Sequence, residues 1–282
     1  MTTTGVPFRK GHGTGNDFIV VNGLGGVVIS ESNARALCDR HKGIGADGIL
    51  RVAKGADFNV TDANYFMDFR NADGSIGATC GNGLRVFARY LVEANLEGRG
   101  SFKVGTHAGT VTVSIDEDDK DFEHVAVEMG KVTPSAGGEL TVTTESGSWT
   151  GVGIGGMNNH CVTVVTDIAD AGTLLSIPNV APAGTYPDGV NVEFIAPKSP
   201  THIAMRTHER GVGETLSCGS GSCAAAFVWA EKQGMTGEPW AIQVDVLGGT
   251  VFVSGTPDGT LTMRGPAQFV AEGVIEPHMW QI

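Results

Sequence analysis

The chain is 282 residues long, 41% hydrophobic and 18% charged, the composition of an ordinary soluble globular protein with room for one large domain or two of average size. Its formal net charge of −12 argues against nucleic acid or an anionic membrane as a partner, and no apolar run reaches the length of a membrane-spanning helix. Five cysteines (Cys38, Cys80, Cys161, Cys218, Cys223) are an odd number in a chain too large to need disulfide staples. With no apolar signal core in Met1 to Lys10, reduced thiols in the cytoplasm are the expectation.

Residues 5–29 open on a polar, glycine-broken segment, Gly11-His12-Gly13-Thr14-Gly15-Asn16-Asp17, then the β-branched run Phe18 to Val21: either a loop leads into a strand, or a strand resumes after a bulge. From Ser30 to His41, Ala34, Leu37 and Cys38 share one helical face, with Ser30 or Ser32 as the cap; Cys38 is therefore read as core. Gly43-Ile44-Gly45-Ala46-Asp47-Gly48 matches the dinucleotide string G-x-G-x-x-G. It follows a helix and precedes a strand, Ile49 to Val52, the reverse of the order that nucleotide binding requires, and is rejected. Met67 to Ser75 reads as a strand and turn. Cys80-Gly81-Asn82-Gly83 then opens an apolar-periodic helix from Leu84 to Leu91. A thiol at that point lies over unpaired N–H groups at the positive end of the helix dipole, which favours both thiolate and a bound anion. Ser101 to Val104, Thr110 to Ile115 and Val125 to Met129 follow as antiparallel strands, with Asp116 to Asp121 as a solvated hairpin tip.

From about Lys131 the pattern starts over. Strands are expected at Leu140 to Thr144, Ser148 to Ile154 and Cys161 to Val165, the last fed by the polar loop Gly156-Met157-Asn158-Asn159-His160. A weak helix, Asp167 to Leu175, and a proline-bearing loop precede strands at Val190 to Ile195 and His202 to Arg206. Glu209-Arg210-Gly211-Val212-Gly213-Glu214-Thr215-Leu216-Ser217-Cys218-Gly219-Ser220-Gly221 then opens a small-residue helix from Ser222 to Lys232. Further strands lie near Gln243 to Val246, Thr250 to Val253 and Gly259 to Met263. Glu276 to Ile282 is either an extension packed on the first half or a disordered end.

The two halves match in order. Cys80-Gly-Asn-Gly recurs 138 residues later as Cys218-Gly-Ser-Gly, and Ala108-Gly-Thr-Val-Thr-Val-Ser recurs 140 later as Gly248-Gly-Thr-Val-Phe-Val-Ser. Asn16 to Val21 pairs roughly with Asn159-His160 and the strand after it; Gly48-Ile49-Leu50 pairs more loosely with Gly189-Val190-Asn191. The expected fold is α+β: two pseudo-symmetric domains, each a curved, antiparallel-rich, barrel-like sheet wrapped around a central helix, with the active site in the cleft between them. The predicted boundaries are residues 1–127 with a return strand in 267–282, and residues 128–266.

Two helix-capping thiols related in this way suit one task. Inverting a carbon stereocentre takes a proton from one face and returns one to the other, and two acid/base groups do this without a cofactor. Cysteine allows thiol and thiolate to coexist near neutrality, and helix N-termini hold the substrate carboxylate as carbanion charge develops. Cys161 and Cys223 are read as core. The spacings around Cys218-Cys223 and His160-Cys161 lack those of structural zinc, and no C-x-x-C is present, so no metal or redox dithiol is expected.

Gly15-Asn16-Asp17-Phe18, Gly43 to Asp47, Asn71-Ala72-Asp73-Gly74-Ser75, Cys80 to Gly83, Val190-Asn191 and Glu209 to Gly221 together resemble the diaminopimelate epimerase family over essentially the whole chain. That family is similar to proline racemase in fold and two-thiol chemistry. The resemblance implies a cofactor-independent epimerase converting LL-diaminopimelate to the meso form for lysine and peptidoglycan precursors. It implies Cys80 and Cys218 as the acid/base pair, His160 and Glu209 as groups tuning the thiols, and backbone N–H groups of Gly81, Asn82, Gly219 and Ser220 on the reacting carboxylate. Asn16, Asn71, Asn158, Asn191, Glu209 and Arg210 would hold the distal amino-carboxylate, since a doubly zwitterionic substrate needs donors and acceptors at both ends. In the family's loop a proline precedes the histidine; here Asn159 stands there, which frees the backbone of Asn158. A proline-type racemase, and more remotely a non-catalytic amino-acid-binding protein, are the alternatives. The partner expected is a small amino acid, and a homodimer is left open.

Overall fold

The computed structural model describes residues 5–135, 139–156 and 158–280; Met1 to Thr4, Met157, Gln281 and Ile282, on which some of the expectations above fall, lie outside them. The chain forms two compact units, Met1–Val127 with Gly265–Ile282, and Glu128–Arg264.

Unit 1 begins with β1 (Val6–Gly13), β2 (Asn16–Asn22), α1 (Glu31–Cys38), β3 (Gly48–Lys54), β4 (Tyr65–Asn71), α2 (Gly81–Glu93), β5 (Gly100–Thr106), β6 (Gly109–Ile115) and β7 (Val125–Lys131). Along this order the pairings run antiparallel (β1–β2), parallel (β2–β3), antiparallel (β3–β4), parallel (β4–β5) and twice antiparallel (β5–β6, β6–β7). Phe18, Ile19, Val20 and Val21 are all fully buried because β2 is covered on both faces. Ile19, Val21 and Ile49 pack with Ala34 and Leu37 of α1, while Phe18 and Leu50 point the other way, to Gly83 of α2, as the two-residue period of a strand dictates. Ser30 is the cap of α1, in a capping box with Asn33.

Unit 2 contains β8 (Thr133–Pro134), β9 (Leu140–Thr144), β10 (Gly147–Gly155), β11 (His160–Val164), β12 (Asn179–Ala181), β13 (Asn191–Ser199), β14 (His202–Glu209), β15 (Gly213–Thr215), α3 (Gly219–Lys232), β16 (Trp240–Val246), β17 (Gly249–Gly255) and β18 (Thr260–Gly265). The alternation of unit 1 recurs: β10–β11 antiparallel, β11–β13 parallel, β13–β14 antiparallel, β14–β16 parallel, then β16–β17 and β17–β18 antiparallel. Cys161, Val192 and Phe194 pack outward with Leu140 and Val142; the alternate residues, including Glu193, face α3. The chain then returns to unit 1 as β19 (Gln268–Ile275), antiparallel to β1 from Val6↔Ile275 to His12↔Gln268 with a register shift at Lys10/Gly11. Beyond it, a turn of 3-10 helix (Pro277–Trp280) docks on α1, where Asn33 Nδ2 donates to the Met279 carbonyl at 3.3 Å.

Of the two readings of the opening segment, the strand with a bulge is the one found: β2 pairs Gly11 to Gly13, β19 pairs Gly11 and His12, and the register shifts at Lys10/Gly11. Two details depart from the sequence reading. The helix expected over Asp167 to Leu175 is only one 3-10 turn, Ile168–Ala171; Gly172 at φ 78° and Leu174 at φ 49° turn the chain away. The ladders also shift the internal match: Phe18↔Gly48 and Gly48↔Asn71 in unit 1 correspond to His160↔Asn191 in unit 2, so Gly48 aligns with Asn191 and not with Gly189.

Candidate active site

Each unit presents a cysteine as the N-cap of its buried helix. Cys80 and Cys218 both adopt extended backbone and both receive a helix N–H on Sγ, from Gly83 and Gly221 respectively, at 3.4 Å. The first-turn N–H groups of Gly81, Asn82, Gly219 and Ser220 belong to these helix ends, where an anion is favoured.

In unit 1, Cys80 is half-buried and Sγ lies 3.5 Å from Asn16 Oδ1. Asn16 Nδ2 donates to Asp47 at 2.7 Å, which fixes the amide orientation and leaves Oδ1 facing the thiol and Asn82 Nδ2. Arg40 in turn bridges Asp47 and Asp17 at 2.8 Å each. Burial pushes the Asp17 carboxyl up, but Arg40 and then Lys10 outweigh it and hold the group well below its ordinary range. Asn71 pairs with Gly48, beside Asp47, and its Nδ2 is turned to Ser75 Oγ at 2.9 Å within the Asn-Ala-Asp-Gly-Ser turn.

Unit 2 gathers more charge around its thiol. Cys218 is buried, with Ser220 Oγ 3.6 Å from Sγ. Burial raises its pKa well above the ordinary value, and the Glu209 and Glu193 carboxylates add to this. Glu209 accepts from Thr215 Oγ1, and burial raises its pKa. His160 Nδ1 lies 2.8 Å from Glu193 Oε1, both side chains buried. Burial disfavours the charged ring, but the Glu193 carboxylate overrides it and His160 is raised from 6.5.

Asn191 accepts the backbone N–H of Arg210 at 2.8 Å, and Arg210 Nη1 reaches the Asp188 carbonyl at 3.2 Å. Among the described residues no ion pair joins Arg210 to Glu209, which are chain neighbours. Asn158 is exposed, next to Met157 outside the described residues. Unit 2 thus brings Cys218, His160, Glu209 and Ser220 together; Arg210 and Asn158 lie outward of them. Glu193 and Asp47 escaped the sequence reading. Glu193 is the more detectable: an acidic residue within the apolar run Val192 to Ile195 has to be paired when it is buried.

The profile of the diaminopimelate epimerase family matches residues 8–134 and 153–270. This chain belongs to the diaminopimelate epimerase family. Diaminopimelate epimerase of Streptomyces coelicolor is 43% identical over 281 residues, covering 96% of each chain; that of Rhodococcus erythropolis is 41% identical over 290 residues, covering 97% of each. Among solved structures, a Bacillus anthracis protein of the phenazine biosynthesis PhzF family has a TM-score of 0.71 at 15% identity, covering 96% of this chain and 98% of that one. A hydroxyproline epimerase from Agrobacterium vitis has a TM-score of 0.69 at 15% identity, covering 98% and 93%. These two share the two-part fold. Among the described residues no helix is long and apolar enough to cross a membrane.

Proposed function

We propose that this chain is a cofactor-independent diaminopimelate epimerase that converts LL-2,6-diaminopimelate to the meso form with two thiols, in the supply of lysine and peptidoglycan precursors. The observation that carries the mechanism is the matched pair of N-cap cysteines, each with a helix N–H on its sulfur at 3.4 Å. In one direction Cys80, as the thiolate, takes the α-proton. The electron pair stays on the α-carbon and its carboxylate, which the helix N–H groups at Gly81, Asn82, Gly219 and Ser220 stabilise. Cys218 donates its S–H proton to the opposite face, leaving a thiol at Cys80 and a thiolate at Cys218; the reverse direction exchanges the roles. Asn16, Asn71, Asn158, Asn191, Glu209 and Arg210 are assigned to the distal amino-carboxylate, and Glu209 and His160 to proton control at Cys218. The acidic surface and free thiols suit work in the cytoplasm, and a homodimer is compatible with this reading.

The test is deuterium incorporation at the substrate α-carbon in D2O without added cofactor. Diaminopimelate should exchange and epimerise with the wild type, and epimerisation should vanish in Cys80→Ser and in Cys218→Ser. Unchanged turnover in both variants overturns the two-thiol mechanism, and turnover of proline in place of diaminopimelate assigns the chain to proline-type racemisation.

A further inference from the structure

The hairpin that delivers Asn16 to Cys80 turns on an unfavourable residue. β1 and β2 pair as far as Gly13↔Asn16, so Thr14 and Gly15 are the two central residues of the turn. Both have positive φ, 51° and 83°, the pattern of a type I′ turn. Asparagine or glycine fills the first of these places at little cost, whereas a β-branched side chain is strained there. Strain of this kind persists only where the surroundings impose it, and it gathers at functional sites. Here the surroundings are α2. Thr14 is 1% exposed, and its Oγ1 accepts from Nη2 of the fully buried Arg85 at 3.1 Å. Arg85 lies on α2 just beyond its first turn, and its Nε is anchored on the Pro266 carbonyl at 3.1 Å. A Cβ on Gly13 would fall 2.8 Å from Arg85 Nη2 and 3.0 Å from the Asn82 carbonyl oxygen, so the hairpin tip rests directly on the helix. Within the turn, the Gly15 N–H donates to His12 Nδ1 at 3.3 Å. Asn16, the first residue after the turn, then has Oδ1 3.5 Å from Cys80 Sγ and 3.4 Å from Asn82 Nδ2.

We propose that Thr14 and Arg85 are the positioning pair of the Cys80 half-site: their hydrogen bond holds the strained Thr14-Gly15 turn on α2 and so fixes how the Asn16 amide reaches the thiol. The inference rests on Asn16 holding substrate and on Cys80 moving the proton. A turn that served only the stability of the hairpin would gain nothing from threonine at this place. A buried guanidinium, by contrast, needs acceptors for the N–H groups it turns inward, and the Thr14 hydroxyl is one of them. Arginine therefore holds the turn, and the turn carries Asn16. Binding groups have to be kept within about 0.5 Å of their productive geometry, and Gly15 is all that separates the anchored Thr14 from Asn16 in the chain.

The experiment takes Thr14→Val, which keeps the branching and removes the acceptor, Thr14→Gly, which relieves the strain as well, and Thr14→Ser, which keeps the hydroxyl. Thr14→Val should melt below the wild type, and Thr14→Gly above Thr14→Val because the turn is relaxed. Both should nevertheless raise KM for diaminopimelate by about tenfold, the equivalent of one good hydrogen bond to the substrate, with Thr14→Ser within about threefold of the wild type. Iodoacetamide should alkylate Cys80 faster by about threefold or more in Thr14→Val and Thr14→Gly, because the sulfur loses its cover. In an Asn16→Ala background the Thr14→Val effect should shrink to less than about twofold, on KM or, where Asn16→Ala is inactive, on the alkylation rate. Folded Val and Gly variants with KM and alkylation rates within about twofold of the wild type overturn the proposal, as does a Thr14→Val effect undiminished by Asn16→Ala. A KM that merely follows Tm, so that Thr14→Gly recovers both, makes the pair structural and also overturns it. Should Thr14→Val not fold, Thr14→Gly takes its place in each comparison. Failure of the wild type to epimerise diaminopimelate would instead strike the reading of the function, and the alkylation rates would still report on the pair.

Discussion

Gly83 and Gly221 occupy the same position in the two helices, three residues after the capping cysteine, yet alanine at each should have different consequences. A Cβ on Gly83 meets Leu50 Cδ2 at 3.3 Å, and Cys80 Cβ and Phe18 Cζ at 3.4 Å. These are side-chain atoms that move by a few tenths of an ångström at little cost. The intrinsic helix preference of alanine over glycine, about 0.8–1.0 kcal/mol, offsets that cost, and Gly83→Ala should be close to neutral. On Gly221 the Cβ falls 2.6 Å from Glu193 Oε1 and 3.2 Å from Cys218 Cβ and Sγ. The carboxylate has no room to withdraw without leaving His160. Overpacking of this kind costs roughly 1–3 kcal/mol, so after the helix gain Gly221→Ala should be destabilised by up to about 2 kcal/mol. At roughly 2–4 °C per kcal/mol for a chain of this size, the Tm should drop by up to about 8 °C. The assay is thermal unfolding of both variants beside the wild type. Equal melting temperatures for the two alanine variants would refute the reasoning.

Other consequences are testable more briefly. Arg85, 0% exposed, donates to Thr14 Oγ1 at 3.1 Å and to the Pro266 carbonyl at 3.1 Å; Arg85→Ala should cost about 3–5 kcal/mol, as truncating a buried charged network does, and show as loss of soluble protein or early denaturant unfolding of unit 1. Asp17 contributes stability that is complete above its unfolded value of 3.8 and is lost as pH falls toward its depressed folded value. Asp17→Asn should therefore be less stable than the wild type at pH 6 and lose less on going from pH 4 to pH 2, as followed by urea midpoints. Burial pushes the thiols of Cys38 and Cys161 up to about 12, so iodoacetamide at pH 8 should leave both unmodified in the folded protein by peptide mass mapping. Prompt labelling of either would place it outside the core.

The two cysteine-headed helices were legible because a thiol before Gly-x-Gly and an apolar or small-residue run is a local pattern, repeated at nearly constant spacing. Most strands were legible for the same reason. What escaped depends on partners distant in the chain. Gly11 and His12 could be loop or bulged strand until β19, more than 250 residues later, pairs them. His160 and Glu193 are 33 residues apart and meet only through the parallel ladder. The contacts of the Asn16 amide with Asp47 and the Cys80 thiol were not legible either; a side chain's direction is not readable from its place in a motif. The Asp167 to Leu175 segment has helical composition but is stopped by the backbone of Gly172 and Leu174.

The return of β19 to β1 sets an order on folding during synthesis. Unit 2 is one uninterrupted stretch, Glu128–Arg264, and all of its ladder partners have left the ribosome before residue 268 appears. Unit 1, although most of it is made first, lacks until then both the strand that pairs β1 and the Pro266 and Ala267 carbonyls that receive Arg85 and Arg89. The half synthesised first is therefore the half completed last, and for the duration of unit 2's synthesis β1 is an open edge.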